Sequence, residues 1–183
     1  TRWPGKPLAR IAGKPMIQRV YERALLAKKP EKVLVATDDT RVEDAVKAFG
    51  GEVMMTSSQH PSGTDRLAEV ALNFPKVDVI INVQGAEPLI PPEVIDDLAE
   101  VFEKDPTLQM ATVRSKMSEQ DYDNPNAVKV VTNLNGFAMY FSRSLMPYPR
   151  IKPDDYTVYK HIGIYAYRRE FLLKFAALPP TPL

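Results

Sequence analysis

The sequence predicts an α/β fold in which a mostly parallel, mixed sheet is covered by helices and carries an antiparallel addition in its second half. Three observations predict it. Helical and strand periodicities alternate through the first half, short apolar runs end at polar or glycine-bearing loops, and a turn-rich connection separates two strand patterns late in the chain. With 183 residues, 44% of them hydrophobic, the chain is long enough to enclose one real core.

The elements follow in order. After Gly13-Lys14-Pro15, the residues Met16, Ile17, Val20, Tyr21, Ala24 and Leu25 recur at helical spacing, and proline suits a first turn. Lys32 to Thr37 is a short β-rich run ending at Asp38-Asp39. Val42, Ala45, Val46 and Phe49 mark a second helix that Gly50-Gly51 stops, and Glu52 to Met55 supplies the next strand. A polar loop from Thr56 to Gly63 leads into a helix carrying Leu67, Val70 and Ala71. Val77 to Val83 reads as a fully buried central strand. It ends at Gln84-Gly85, and a helix with Val94, Ile95, Leu98, Val101 and Phe102 follows Pro91-Pro92. Val128 to Thr132 and Phe137 to Phe141 flank the turn-rich Asn133-Leu134-Asn135-Gly136. Tyr159 to Tyr167 is a last strand, and a helix from about Glu170 to Ala177 ends in prolines. No repeat or linker divides the chain, so a single domain over 1–183 is predicted.

Composition excludes several classes. Lysine plus arginine number 24 and aspartate plus glutamate 23, so no charge excess points to nucleic acid. Without cysteine there is neither a disulfide framework nor a thiolate metal site. No apolar run approaches the ~18 residues of a membrane span. Gly13-Lys14 lacks the spacing of a Walker loop, and no G-x-G-x-x-G occurs. His60 and His161 are the only imidazoles, which rules out a multi-histidine metal centre within the chain.

Four places can carry chemistry. The basic opening loop holds Arg2, Gly5, Lys6, Arg10, Gly13 and Lys14, the cations and glycines that a polyphosphate needs; a solvated surface loop is the plain alternative. His60-Pro61-Ser62-Gly63-Thr64-Asp65-Arg66 lies where a strand yields to a helix, a place where doubly wound sheets bind ligands. A helix cap at Ser62 or Thr64 explains the same residues. Gln84-Gly85-Ala86-Glu87-Pro88 follows the most apolar strand, and its one acid, Glu87, is either a cation ligand or a loop residue. In the last strand, alternation puts Lys160, Ile162, Ile164 and Ala166 on a core face. Tyr159, His161, Gly163, Tyr165 and Tyr167 share the other, which suits a polyhydroxylated ligand or an aromatic ladder. Asp38-Asp39 suits a turn or cap better than a metal.

Read together, these motifs resemble a known family. Arg2-x-Pro4-Gly5-Lys6-Pro7-Leu8 and Ile11-x-Gly13-Lys14-Pro15-Met16-Ile17 are similar to the opening of the nucleotide-sugar cytidylyltransferases. His60 to Glu69, Val83 to Pro91, Asn124 to Val131, Tyr140 to Arg143 and His161 to Tyr165 narrow the resemblance to the 3-deoxy-manno-octulosonate (Kdo) cytidylyltransferases, across essentially the whole chain. The resemblance implies a Rossmann-like nucleotidyltransferase three-layer sandwich, a homodimer and a cytoplasmic location. It implies CTP and Kdo as substrates, Mg²⁺ as cofactor, and no nucleic acid or membrane partner. By the same resemblance, Arg2 and Lys6 hold the triphosphate, and Ser62 and Arg66 lie at the cytidine end. Gln84 stands between nucleotide and sugar, while Arg150, His161 and Tyr165 face the sugar acid. Lys6 and Gln84 take the catalytic role.

Three features depart from that family's pattern. Ala86 occupies the position of a magnesium-binding aspartate, which points to an impaired variant or to binding without turnover. Trp3 replaces a smaller apolar residue. The first strand and the C-terminal segment of the family are expected to lie outside this sequence. An amino-substituted Kdo or a sialic acid is the alternative acceptor.

Overall fold

The structure is a computed structural model and describes residues 5–182. Its contacts divide into two compact units: one of residues up to Ala111 together with those from Tyr165 onward, the other Thr112–Ile164.

The first unit begins with a 3-10 turn at Lys6–Leu8 and a short hairpin of β1 (Arg10–Ile11) and β2 (Lys14–Pro15). The turn between them needs positive φ at Ala12 (46°) and Gly13 (82°). Glycine takes that conformation freely and alanine does not. Helix α1 (Met16–Ala24) starts after Pro15, as the spacing predicts, and buries Ile17, Val20, Tyr21 and Ala24. Strand β3 (Val35–Thr37), helix α2 (Thr40–Ala48) and strand β4 (Val53–Met55) then form a parallel β-α-β unit. Asp39 caps α2 by accepting the Arg41 N–H, and Gly50 follows the helix at φ 78°. Ile17, Tyr21, Val35, Val42 and Val46 make the core here, with Leu8, Val33, Phe49 and Val53 around it.

Helix α3 (Gly63–Leu72), strand β5 (Val79–Asn82) and helix α4 (Pro92–Lys104) follow. The predicted Val77–Val83 strand is shorter than the apolar run, and it is not fully buried. All four of its residues are half-buried, and Val77 is exposed in a turn that bonds back to Phe74. The reason lies in its pairing: among the described residues β5 has β9 (Tyr159–Arg168) on one side only, antiparallel from Val79↔Arg168 to Asn82↔Tyr165. After β9 comes α5 (Arg169–Ala176), whose Leu172 packs fully buried against Ala71 and Tyr167.

The second unit takes most of β6 (Met110–Lys116), all of β7 (Lys129–Thr132) and β8 (Ala138–Ser142), and the first half of β9. Strand β6 is absent from the sequence expectation, because its last three residues are polar and exposed and dilute the alternation. Strands β7 and β8 pair antiparallel as predicted, from Lys129↔Ser142 to Thr132↔Ala138. Lys129 is wholly buried and forms no ion pair among the described residues; its ammonium donates to the carbonyls of Asn124 (2.8 Å) and Arg143 (3.0 Å). Parallel pairing is confined to β3–β4 among the described residues, so the fold is a mixed α/β one with more antiparallel character than the early strand–helix rhythm suggests.

Candidate functional site

In the basic opening loop the structure sorts the cations. Arg10 donates to the Gly13 carbonyl, and Lys14 pairs with Glu22 at 2.7 Å. Arg19 from α1 grips the loop by donating to the carbonyls of Ile11 and Ala12. Lys6 is exposed and has no side-chain hydrogen bond or ion pair among the described residues, so its charge stays available to an anion. Arg2 lies outside the described residues.

The segment from Thr56 to Arg66 is built more firmly. Ser62 caps α3: its hydroxyl accepts the Asp65 N–H and donates to the Asp65 carboxylate. The cap and a ligand site are compatible, since the hydroxyl is exposed at the helix end where partial positive charge gathers. One turn on, the Arg66 guanidinium bonds Asp38 at 2.9 Å across from the end of β3. That pairing holds the Asp38 carboxyl below its usual range and raises Arg66 above its own. Glu69 receives the His60 ring and the Ser57 N–H, and both contacts lower its pKa, the histidine first. Asp39 caps α2 and Asp38 pairs with Arg66, so each of the two adjacent acids has a structural partner.

Gln84 is exposed just beyond β5, in a turn where the Glu87 N–H bonds its carbonyl. At Gly85 an added Cβ would meet Ile17 at 3.5 Å, ordinary contact, so the glycine is not sterically required. Magnesium asks for several oxygen ligands in near-octahedral array. Among the described residues no three of His, Cys, Asp and Glu gather into such a set. Ala86 offers no oxygen from its side chain, and Asp38 and Asp39 are already engaged. The described residues therefore do not fit a magnesium site.

The late strand divides its roles along its length. In the second unit, His161 Nε2 lies 2.9 Å from the Thr112 hydroxyl and meets the Phe141 ring edge-on. Burial pushes its pKa down, so the ring is neutral at physiological pH. Beside it, Arg114 stacks its guanidinium 3.9 Å from the centre of the Tyr159 ring. Arg150 is exposed in the loop between β8 and β9. In the first unit, Tyr165 is half-buried and stacks on Tyr167. Burial pushes up the pKa of both phenols, and a hydrogen bond from Thr64 partly offsets this at Tyr167. Tyr167 corrects the expectation of a uniform ligand face: it is 3% exposed and packs on Ala71 and Leu172. Alternation gave the face correctly but could not say that α3 and α5 would cover its far end.

Ser62 and Arg66 are thus brought together at the start of α3. Lys6, Gln84 and Tyr165 belong to the first unit, and Arg150 and His161 to the second. Sequence reasoning missed Thr112 and Arg114. The alternation of Thr112 and Arg114 with Ala111 and Val113 was the available signal.

Comparison with known proteins gives a consistent picture. A family model described as cytidylyltransferase matches residues 1–183. The 3-deoxy-manno-octulosonate cytidylyltransferase of Syntrophotalea carbinolica is 50% identical over 192 residues, covering 100% of this chain and 76% of that protein. The enzyme of the same name from Geobacter metallireducens is 52% identical, covering 100% of this chain and 76% of that protein. Among solved structures, CMP:2-keto-3-deoxy-manno-octonic acid synthetase complexed with CTP superimposes with a TM-score of 0.92 at 49% identity, covering 100% of this chain and 75% of that one. A cytidylyltransferase from Leptospira borgpetersenii shares the fold, with a TM-score of 0.64 at 19% identity over 100% of this chain and 61% of that one.

Proposed function

The chain belongs to the cytidylyltransferase family, in the group of the 3-deoxy-manno-octulosonate cytidylyltransferases, and on that footing we propose that it transfers CMP from CTP to Kdo. The acceptor's anomeric hydroxyl attacks the α-phosphorus, a new P–O bond forms as the bond to the β-phosphate oxygen breaks, and pyrophosphate leaves. The hydroxyl proton passes to solvent. The one observation that carries this reading is the whole-chain likeness to a synthetase solved with CTP.

The chain's own residues suit that task by position and charge, which supply most of the catalysis in phosphoryl transfer. Lys6, with Arg2, neutralises the triphosphate; what supports Lys6 is that no carboxylate among the described residues pairs with it. Ser62 and Arg66 receive the cytidine end, and Gln84 lies between nucleotide and sugar. Arg150, His161 and Tyr165 take the sugar acid. A neutral His161 beside Thr112 is suited to hydrogen-bonding hydroxyls rather than to carrying charge. By family likeness the cofactor is Mg²⁺, for which the described residues supply no carboxylate set.

A cytoplasmic setting, where CTP is available, belongs to the same reading. So does a homodimer. Its support is strand β8, an edge strand among the described residues, where Met139 is 68% and Tyr140 65% exposed. A contiguous apolar edge of this kind is matched by another copy more readily than by water.

Ala86 favours a second reading, in which the protein binds nucleotide and sugar without turnover. Pyrophosphate release from CTP, Kdo and Mg²⁺ is the test, run on the protein and on Ala86→Asp. Release by both supports the enzyme as it stands, and release only by Ala86→Asp supports binding without turnover. Silence from both, with amino-substituted Kdo and sialic acid also tried as acceptors, would remove the assignment.

A further inference from the structure

The segment from Ser57 to Ser62 carries one contact set that the transfer reaction does not use. A single carboxylate, Glu69 on α3, accepts the backbone N–H of Ser57 at 3.0 Å and also engages the His60 ring. Both side chains are only partly exposed, His60 at 20% and Glu69 at 31%, so water competes poorly for the pair. The segment is fixed at each end as well. Thr56 is buried and donates its N–H to Thr37 of β3 at 2.9 Å, and Ser62 caps α3. Only the stretch between them lacks sheet or helix bonding, and Glu69 holds that stretch.

Glu69 also sits three residues after Arg66, the spacing at which helix side chains are neighbours. Arg66 is held from the other side by Asp38. One carboxylate therefore sets the course of the loop that ends at Ser62 and flanks the arginine one turn into the helix.

We infer that Glu69, acting through His60 and Ser57, is a positioning residue that fixes the Ser62–Arg66 edge for the nucleobase of the bound nucleoside triphosphate. This rests on the reading that Ser62 and Arg66 receive the cytidine end. Glu69 itself touches no substrate. Removing it frees the loop without unfolding α3, whose apolar face is buried through Val70 and Ala71.

Calorimetric titration of the protein with CTP and with UTP tests this without requiring turnover. Glu69→Ala is expected to weaken CTP binding roughly tenfold, the loss of about one charge-assisted hydrogen bond. It should weaken UTP less, so that the preference for CTP falls. Glu69→Gln keeps an acceptor for the Ser57 N–H and should recover part of the loss. His60→Ala combined with Glu69→Ala should be no worse than Glu69→Ala alone. A purely structural role predicts lower melting temperature with unchanged affinity in the folded fraction, and that result would overturn the inference. Should Glu69→Ala fail to fold, wild-type binding and CTP preference in Glu69→Gln and in His60→Ala would overturn it equally. Ser62→Ala and Arg66→Ala separate the two claims: if they weaken CTP and Glu69→Ala does not, the positioning role alone is wrong. If none of the three matters, the nucleotide reading of the segment fails with it.

Discussion

Single residues in this chain show how a local partner decides between a structural and a chemical role. Asp38 and Asp39 are adjacent acids at a strand end, yet one is spent on Arg66 and the other on the start of α2. The Arg41 guanidinium, with the backbone N–H groups of α2, holds the Asp39 carboxyl down at about 2 from an ordinary 3.8. A depressed folded-state pKa contributes stability above the unfolded value and loses it as pH falls through the folded one. Asp39→Asn should therefore lower the melting temperature near neutrality, and its difference from wild type should shrink between pH 3.8 and about 2. Thermal melts across that window would show a constant difference if the charge did nothing. Lys14 and Lys6 make the parallel case among cations: both looked suitable for phosphate in sequence, and only the Glu22 side chain distinguishes them.

At the scale of elements, amphipathic spacing was a dependable guide and apolar length was not. Helices α1, α2 and α4 bury the centre of the stripe that their periodicity nominates, while Leu25 and Val101 at its margins stay exposed. Strand β5 does not match its apolar run, because burial of a strand depends on neighbours on both sides and it has a described partner on only one. Helix α5 docks through Leu172, which is wholly buried against Ala71 and Tyr167, while Leu178 just beyond it is 64% exposed. Leu172→Ala should cost about 2–5 kcal/mol, the range for emptying a packed site. Leu178→Ala should stay within about 0.5 kcal/mol. Urea unfolding of both variants would contradict this packing if the two costs were alike.

For the whole molecule, the likeness of this entire chain to the 3-deoxy-manno-octulosonate cytidylyltransferases brings scattered motifs into one activity that no single motif specifies. The homodimer is the prediction at this scale. Met139→Asp places a charge at a position of β8 that is 68% exposed, beside the equally open Tyr140. Sedimentation should show dimers for wild type and monomers for Met139→Asp, with far-ultraviolet spectra unchanged. A variant that remains dimeric would move the interface elsewhere.

The residue pattern by itself determined the α/β class, four of the five helices closely and the fifth to within a residue or so. It also marked the strand ends and the cap at Ser62, because periodicity and capping are local properties written in neighbouring residues. Only the tertiary structure decided that Tyr167 belongs to the core, that Lys14 is already paired, and that Glu69 governs the loop before Ser62. It alone revealed Thr112 and Arg114 beside His161 and Tyr159. Each of these depends on a partner many positions away, and a side chain's availability is set by what the fold brings against it rather than by the residues next to it in the chain.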